Sequence, residues 1–281
     1  MIYLNILKDL TKQKELNDYG YSILSSVDES TLDKIKNLFN VLHKDRKDIP
    51  YNTLYTCIVN NDKLFKRQMH DGLYHILKCD LESQFINYKL STFTFQIKGI
   101  GTETELGVHQ DWSYSNEVKG YSSYTFWLPL IESDESNGTL CVVPKSHRHH
   151  RGYRGHGIIS PVDGLKSDAK KYHIPLRVKA GELLIFDTSM IHYSPDNLSN
   201  NFRVSVMVNI TNQPEGFSIY LQNNQNDKLV DEYLVPDNFF LLYDDFKIGR
   251  SRVPDFAPRN AIYENLNELI SIESLRKLYS K

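Results

Sequence analysis

The sequence is short of cysteine, of net charge and of long apolar runs, and each shortage excludes a class of protein. The three cysteines, Cys57, Cys79 and Cys141, are odd in number and far apart, so we expect reduced thiols in a cytoplasmic protein rather than a disulfide framework. A formal net charge of −2 leaves no basic field for nucleic acid or an anionic membrane. No apolar run is long enough to span a bilayer, and the N-terminus turns charged too early for a signal peptide.

The size and composition of the chain are those of an ordinary globular protein. It has 281 residues, of which 40% are hydrophobic and 24% are charged. Neither a repeat nor a low-complexity linker divides it. We therefore expect a single domain over residues 1–281. Its expected parts are helical cladding over 1–80, a β core over 81–212 with a lid-like loop at 146–172, and a C-terminal extension over 213–281.

Helical patterns occupy both ends of the chain. The first lies over Asn5–Asp18, the second begins at Asp28 with carboxylates in its first turn, and the third covers Asn61–Cys79. A short strand, Tyr21–Leu24, separates the first two. Asn260–Ser280 returns to helical spacing, which predicts a C-terminal helix.

The middle of the chain changes to a period of two, which is typical of β-strands. The predicted strands are Phe85–Lys98, Val108–Trp112, Ser123–Leu130, Thr139–Val143, Ile174–Val178, Glu182–Asp187, Met190–Ser194 and Phe202–Ile210. Many short strands separated by glycine, proline and asparagine favour an antiparallel barrel or a jelly roll. The predicted fold class is therefore mainly β with flanking helices.

A histidine and an aspartate two residues apart, with a second histidine far downstream, form the most informative pattern. On a strand, His109 and Asp111 project to the same side and Gln110 faces away. His192 lies at the start of another predicted β segment, where it can supply a third ligand. Two imidazoles and a carboxylate are the ligand set of mononuclear iron(II) oxygenases, and they leave one face of the metal open. A surface pair plus a buried core histidine is the alternative that these residues leave open.

An arginine lies on the polar face of the strand that follows. Arg203 shares this face with Ser205, whereas valines occupy the opposite face. A buried guanidinium is costly unless an anion pairs with it. The far carboxylate of a 2-oxoglutarate cosubstrate would be such a partner, because arginine binds carboxylates through two parallel hydrogen bonds. An arginine at the barrel rim, paired with an acidic residue of the protein, is the alternative.

The order of motifs along the chain carries a resemblance to a known family. The motifs are Tyr19–Leu24, His109–Asp111, Trp127, Asn137–Leu140, Val143–His147, Ala180–Asp187, His192–Ser194 and Arg203. Their succession resembles the phytanoyl-CoA dioxygenase-like family of Fe(II)/2-oxoglutarate-dependent oxygenases. The resemblance runs from about Asp18 to Ile210 and is absent from the rest of the chain.

This resemblance implies a fold and a metal. The fold would be a double-stranded β-helix, a jelly roll of the cupin type, clad by N- and C-terminal helices. His109, Asp111 and His192 would bind Fe(II), with 2-oxoglutarate and O2 as cosubstrates. Because halogenases of this wider class lack the carboxylate ligand, the presence of Asp111 favours hydroxylation over halogenation.

The resemblance also implies a cosubstrate pocket. Arg203 would anchor the far carboxylate of 2-oxoglutarate, and Ser194 would share it. Trp127 holds the position of an aromatic pocket wall, and Gln96 and Ser205 are further candidates for polar contacts. Plain core packing for Trp127 and a turn hydroxyl for Ser194 remain the alternatives.

We therefore expect hydroxylation of an unactivated C–H bond in a small-molecule metabolite or natural-product intermediate, with release of succinate and CO2. Two alternatives belong to other classes: a non-catalytic β-barrel that binds a small molecule, and a cupin-like metalloenzyme that does not use 2-oxoglutarate. Whether the protein is a monomer or a homodimer stays open.

The remaining features leave the substrate undefined. Five scattered histidines are interpreted as solvated surface rather than a second metal site: His147, His149, His150, His156 and His173. Four cations of the long loop offer either solvated charge or a site for an anionic or carrier-linked substrate: Lys145, Arg148, Arg151 and Arg154. The apolar tract 233–243 would cover a pocket, clad the core or form a dimer surface.

Overall fold

The computed structural model describes residues 5–149, 151–165, 167–242 and 257–279. The sequence predictions that involve His150, Tyr243 and Ser280 lie outside these residues. The helices are α1 (Leu10–Tyr19), α2 (Glu29–His43), α3 (Lys63–Gln84), α4 (Phe239–Leu242) and α5 (Ile272–Tyr279). Within the described ranges, none of the helices combines the length and the apolar character that crossing a bilayer requires.

The β-strands number fourteen in the described part of the chain. They are β1 (Tyr21–Ile23), β2 (Leu54–Thr56), β3 (Lys89–Leu90), β4 (Thr94–Lys98), β5 (Leu106–His109), β6 (Ser123–Pro129), β7 (Cys141–Val142), β8 (Ile174–Pro175), β9 (Leu184–Asp187), β10 (His192–Ser194), β11 (Arg203–Thr211), β12 (Phe217–Gln222), β13 (Leu229–Val235) and β14 (Arg259–Glu264).

Three helices precede the β core, as the sequence predicts. Each begins after an aspartate, Asp9, Asp28 or Asp62, whose side chain accepts hydrogen bonds from backbone amides of the first turn. These caps satisfy amides that have no partner inside the helix. Apolar residues of α2 and α3 join the main hydrophobic cluster, where they cover one face of the largest sheet.

The largest sheet has seven antiparallel strands in the order β1–β9–β6–β11–β4–β2, with β3 paired to β11. β11 lies between β6 and β4. Its alternate residues Val204, Val206 and Val208 are buried in the helix-covered cluster. Because side chains alternate along a strand, Arg203 and Asn209 at the two ends of the polar row project from the opposite face. We call this opposite side the inner face of the large sheet.

A second antiparallel sheet, β5–β10–β7–β8, packs on the inner side of the first. An apolar cluster joins Trp127 and Leu184 of the large sheet to Val142 of the small one. Two antiparallel sheets packed across a shared core, with few helices, confirm the predicted mainly β fold class.

The predicted strand Phe85–Lys98 is divided in the structure. Helix α3 continues to Gln84, five residues beyond the predicted end, and the strands of this segment are β3 and β4. Leu77 and Leu81 are buried at helical spacing, so packing of the last turns extends the helix past Cys79.

The C-terminal extension differs from its prediction. Instead of one helix over Asn260–Ser280, Arg259–Glu264 forms β14, and helix α5 is confined to Ile272–Tyr279. β14 completes a three-stranded antiparallel sheet in the order β12–β13–β14. Pairing with β13 overrides the weak helical periodicity, which is the usual outcome where propensity and tertiary context disagree.

Candidate active site

The three residues of the predicted metal set meet at the ends of neighbouring strands. His109 ends β5, His192 begins β10, and the two are direct partners in the antiparallel register. The ligand atoms of His109, Asp111 and His192 all lie within 4.8 Å of one another. Asp111 Oδ1 is 3.6 Å from His109 Nε2 and 3.7 Å from His192 Nε2. These distances are too long for hydrogen bonds, and they suit ligands that share one ion at about 2.1 Å.

The orientation of each imidazole is fixed by a backbone carbonyl. His109 Nδ1 lies 2.8 Å from the Gly107 carbonyl, and His192 Nδ1 lies 2.9 Å from the Met190 carbonyl. Because a carbonyl only accepts, Nδ1 carries the proton in both rings and Nε2 is left as a metal ligand. Burial lowers the pKa of His192 to about 4, assisted by the neighbouring His109, so the ring is neutral as a ligand must be.

The aspartate is positioned by two further side chains. Thr125 Oγ1 donates to Asp111 Oδ2 at 2.7 Å, and Asn209 Nδ2 donates to Thr125 Oγ1 at 3.2 Å. Oδ1 therefore faces the histidines while Oδ2 is held by the threonine. Burial by itself raises the pKa of Asp111, but His192, His109 and the Thr125 hydroxyl outweigh it and hold that pKa well below its usual range.

Arg203 lies deep on the inner face of the large sheet and is 3% exposed. Its Nη1 donates to Ser133 Oγ at 3.1 Å and to the Gly138 carbonyl. Its guanidinium carbon lies 5.2 Å from the centre of the Trp127 ring. Burial lowers the pKa of Arg203 to about 10, which leaves it cationic at neutral pH.

No acidic side chain among the described residues pairs with Arg203, so the rim-arginine alternative is wrong. Its Nε is buried and has no partner, and neither has Ser205 Oγ, two residues along the strand. Unsatisfied buried donors next to a buried cation are costly unless a ligand completes them. The pair fits an anion with two acceptor oxygens, which is what a carboxylate offers.

A lysine that the sequence analysis missed lies beside this arginine. Lys98 is the strand partner of Arg203, is fully buried, and donates to the Thr104 carbonyl at 2.7 Å and to Ser194 Oγ at 2.8 Å. Burial, and then the charge of Arg203, lower the pKa of Lys98 to about 7. The sequence did contain a signal for this lysine: Lys98 lies two residues after Gln96 on β4, so the two side chains project from the same face of the sheet.

The other candidates for the cosubstrate pocket take different positions. Gln96 is half-buried and is paired in register with Ser205, and Trp127 packs in the cluster between the sheets. Ser194 Oγ accepts from Lys98 and donates to the Gly138 carbonyl at 2.7 Å. Since this uses the single proton of Ser194, Ser205 is the hydroxyl whose proton remains available.

Two arginines of the segment after residue 145, Arg151 and Arg154, are packed rather than solvated, which corrects the prediction made for them. Arg154 is 2% exposed and forms two hydrogen bonds with the Glu117 carboxylate, at 2.7 and 2.9 Å. Arg151 binds Asp187 at 2.6 Å, and Arg148 binds Asp18 at 2.8 Å. These arginines were expected to be solvated or to receive an anionic substrate. Arg151 and Arg154 instead tie the segment to the core, whereas Lys145 and Arg148 are exposed, as expected for solvated charge.

Three of the histidines interpreted as solvated surface are also buried or partly buried: His147, His156 and His173. His147 is 1% exposed, and its Nε2 lies 3.1 Å from the Asn17 carbonyl. His173 is half-buried with Nδ1 at 2.9 Å from the Ala169 carbonyl, and burial lowers its pKa to about 4. His147 and His173 therefore have structural roles that their polar sequence context concealed.

A cleft of about 510 Å³ opens in front of the metal set. His109 and Asp111 line it, with side chains 27% and 22% exposed, whereas His192 is 3% exposed behind them. Asn209 and Met207 of β11 form part of the floor. Arg203 lies farther along the same strand and does not line the cleft. The enclosed arginine and the open cleft thus lie toward different ends of the same strand.

Comparisons with known proteins agree with this geometry. The family model of phytanoyl-CoA dioxygenase (PhyH) matches residues 25–205. A phytanoyl-CoA dioxygenase of Arabidopsis thaliana is 28% identical over 163 residues, which cover 57% of this chain and 56% of the relative. One of Oryza sativa subsp. japonica is 27% identical over 164 residues, with 56% of each chain covered. The chain thus spans just over half the length of these curated relatives.

Solved structures share the fold at low sequence identity. The α-ketoglutarate-dependent epimerase SnoN from nogalamycin biosynthesis has a TM-score of 0.54 at 12% identity, over 90% of this chain and 95% of that one. EvdO2 from Micromonospora carbonacea var. aurantiaca, complexed with 2-oxoglutarate, has a TM-score of 0.51 at 16% identity, over 75% of this chain and 92% of that one. Both likenesses concern the fold.

Proposed function

Because the chain belongs to the phytanoyl-CoA dioxygenase family, we propose that it is an Fe(II)- and 2-oxoglutarate-dependent oxygenase. It would hydroxylate an unactivated C–H bond of a small-molecule metabolite or natural-product intermediate and release succinate and CO2. One observation carries the proposal. Three ligand atoms converge on a point for a metal, while Arg203 Nε and Ser205 Oγ lie buried without partners on the same inner face.

The metal would be held by His109 Nε2, Asp111 Oδ1 and His192 Nε2. Imidazole nitrogen with a single carboxylate suits Fe(II), and three protein ligands leave positions open for small molecules. Bound iron, with 2-oxoglutarate and O2, supplies the oxidising power for breaking a C–H bond. The protein fixes the two imidazoles through their Nδ1 hydrogen bonds and fixes the carboxylate through Thr125.

The cosubstrate would be held by its far carboxylate. Arg203 Nε and Ser205 Oγ donate to that carboxylate, and Trp127 and Gln96 border it. Lys98 adds a second positive charge and orients Ser194, which in turn binds the Gly138 carbonyl that Arg203 also uses. This arrangement keeps the anion in a water-poor site, where charge-assisted bonds are strong.

The finer assignments of the proposal concern the reaction and the state of the protein. Hydroxylation is proposed because Asp111 fills the carboxylate ligand position. The whole chain is proposed to act as one catalytic domain in the cytoplasm, as a monomer or a homodimer. A neutral small molecule, an anionic one or a carrier-linked one would be the substrate.

Calorimetry tests the proposal directly. Protein loaded with Ni(II) in place of Fe(II) is titrated with 2-oxoglutarate, and succinate formation is then measured with Fe(II) and O2. We expect one metal and one 2-oxoglutarate per chain, with slow succinate formation even without substrate. A β-barrel that only binds small molecules predicts no stoichiometric metal. A cupin-like metalloenzyme without 2-oxoglutarate predicts metal binding but no 2-oxoglutarate binding.

A further inference from the structure

The cleft in front of the metal set is built from uncharged residues. Apart from His109 and Asp111, every described residue that lines it is neutral at pH 7. Its floor includes Thr92 and Asn209, and Ser91, the residue before Thr92, is bound to Asn209 through two hydrogen bonds. Its rim is apolar and aromatic. The cleft therefore has a polar floor and an apolar rim.

Among the described residues, four cations are held away from the cleft by other partners or do not line it. Arg154 is held by Glu117 and Arg151 by Asp187, each at the end of a short ion pair. Arg203 and Lys98 do not line the cleft. A carboxylate or phosphate that entered the cleft would lose water without gaining a basic side chain from the described residues, which is costly. Among the described residues, no acidic side chain other than the metal ligand awaits a cationic substrate either.

The floor nevertheless offers hydrogen bonds. Thr92 is 3% exposed, lines the cleft, and its Oγ1 has no partner. Asn209 Nδ2 must donate to Thr125 Oγ1, because the threonine hydrogen goes to Asp111. The amide oxygen of Asn209 is then left as an acceptor on the cleft side. One hydroxyl and one amide oxygen suit a hydroxyl or carbonyl group of a ligand.

The rim offers flat apolar surfaces. Trp112 lines the cleft with 36% of its surface exposed. Tyr114 and Phe240 also line it and pack edge to face with ring centres 5.8 Å apart. Lys66 Nζ fixes the Phe240 carbonyl at 3.0 Å. Rigid aromatic walls bind rings and chains with little loss of side-chain freedom.

We propose that the part of the substrate that enters the cleft is uncharged and combines an apolar ring or chain with a hydroxyl or carbonyl group. The oxygen faces Thr92 and Asn209, and the apolar part packs against Trp112, Tyr114 and Phe240. This inference rests on the proposed function, since it assigns the cleft to the molecule that is oxidised. It selects the neutral substrate over the anionic alternative.

The test uses three probes that share one ring system: 2-naphthylmethanol, 2-naphthoate and 2-naphthylmethylammonium. Each is titrated into full-length protein loaded with Ni(II) and 2-oxoglutarate, so that the cosubstrate site is filled. Dissociation constants are measured by calorimetry or ligand-observed NMR. We expect the alcohol to bind at least about tenfold more tightly than either ion, because a buried unpaired charge is costly. Equal or tighter binding of the naphthoate overturns the proposal, as does no binding of the alcohol up to its solubility limit.

Matched variants locate the binding. Thr92→Val removes the hydroxyl at nearly constant shape and should weaken the alcohol by roughly fivefold, the effect of one lost hydrogen bond, whereas Thr92→Ser should retain it. Val59→Lys places a cation on the exposed side of the cleft and should strengthen the naphthoate while leaving the alcohol unchanged. If Thr92→Val leaves the dissociation constant of the alcohol unchanged, the proposed orientation is contradicted.

The two proposals fail separately. The affinity for 2-oxoglutarate is measured before any probe is added, so absent 2-oxoglutarate binding contradicts the proposed function. Normal 2-oxoglutarate binding with a preference for the naphthoate contradicts only the substrate class.

Discussion

The two ends of the inner row of β11 differ in charge and enclosure. At one end Arg203 is 3% exposed and Ser205 is 1% exposed, with the buried Lys98 beside them. At the other end Met207 and Asn209 are only partly buried and face an open, neutral cleft. A period of two along a single strand thus places an enclosed cationic end and an open end without basic residues on the same face. The metal set lies over this row through Thr125, the strand partner of Asn209.

This difference suggests how the proposed site would distinguish 2-oxoglutarate from the substrate. Under the proposed function, a dicarboxylate would gain partners only at the enclosed end, because the cleft has no cation among the described residues to offer it. A neutral molecule would gain hydrogen bonds and aromatic packing only at the open end. Discrimination therefore arises as much from what each end lacks as from what it has.

The largest expected effect comes from removing one residue of the proposed metal set. His192→Ala deletes a buried ligand and should abolish stoichiometric binding of Ni(II) or Fe(II), measured by calorimetry. The exposed His75 offers a control, and His75→Ala should bind metal normally. Full metal binding by His192→Ala would exclude this residue from the ligand set.

The next effect concerns the enclosed end alone. Arg203→Met should weaken 2-oxoglutarate by roughly 100-fold, because a buried charge-assisted pair is worth about 3 kcal/mol. Metal affinity and the binding of the naphthyl alcohol should be unchanged. If the dissociation constant for 2-oxoglutarate stays the same, the cosubstrate lies elsewhere.

A smaller effect concerns the support of the aspartate. Thr125→Val removes the hydrogen bond to Asp111 Oδ2 and should lower metal affinity about tenfold, as losses of such supporting bonds typically do. Thr125→Ser keeps the hydroxyl and should restore most of the affinity. A threonine that only fills space would give the opposite ranking, with Val nearer to wild type than Ser.

The smallest expected effect is a pH dependence of the affinity for 2-oxoglutarate at the enclosed end. Burial lowers the pKa of Lys98 to about 7, so its positive charge is present below pH 7 and is lost above it. The affinity of Ni(II)-loaded protein for 2-oxoglutarate should therefore fall as the pH rises from 6.5 to 8.5. The slope is at most about tenfold per unit for one linked proton. Lys98→Met should bind more weakly and show a flat profile; an equally steep profile in this variant would assign the titration to another group.

Much of this organisation could be predicted from local patterns. The alternation in Arg203–Thr211 predicts the strand and the faces that the structure has, and the three metal candidates do come together. Their roles as ligands stay predictions. The predicted strand Val108–Trp112 is wrong in its bounds, because β5 ends at His109 and Asp111 lies beyond it, where Thr125 binds its carboxylate. Local patterns could not predict contacts between residues that are far apart in the sequence. The sequence around Arg154 predicts a solvated side chain because its partner, Glu117, is 37 residues away. The contact of His147 with Asn17 is likewise between residues far apart in the sequence.

The same limit explains the missed residues and the C-terminal error. Lys98 matters because of its register with Arg203, and Thr125 matters because Asp111 folds back onto β6; neither pairing is written in the neighbouring residues. The helical spacing of apolar residues after Asn260 is weak, and residues 259–264 instead pair with β13 as a strand.

A crystal structure of the protein grown without oxygen, with Fe(II) and 2-oxoglutarate, tests the central claim most directly. The account predicts one iron bound by His109, Asp111 and His192, with the far carboxylate of 2-oxoglutarate within hydrogen-bond distance of Arg203 Nε and Ser205 Oγ. A 2-oxoglutarate molecule seated in the neutral cleft beside Thr92, with Arg203 Nε still unpaired, would contradict it.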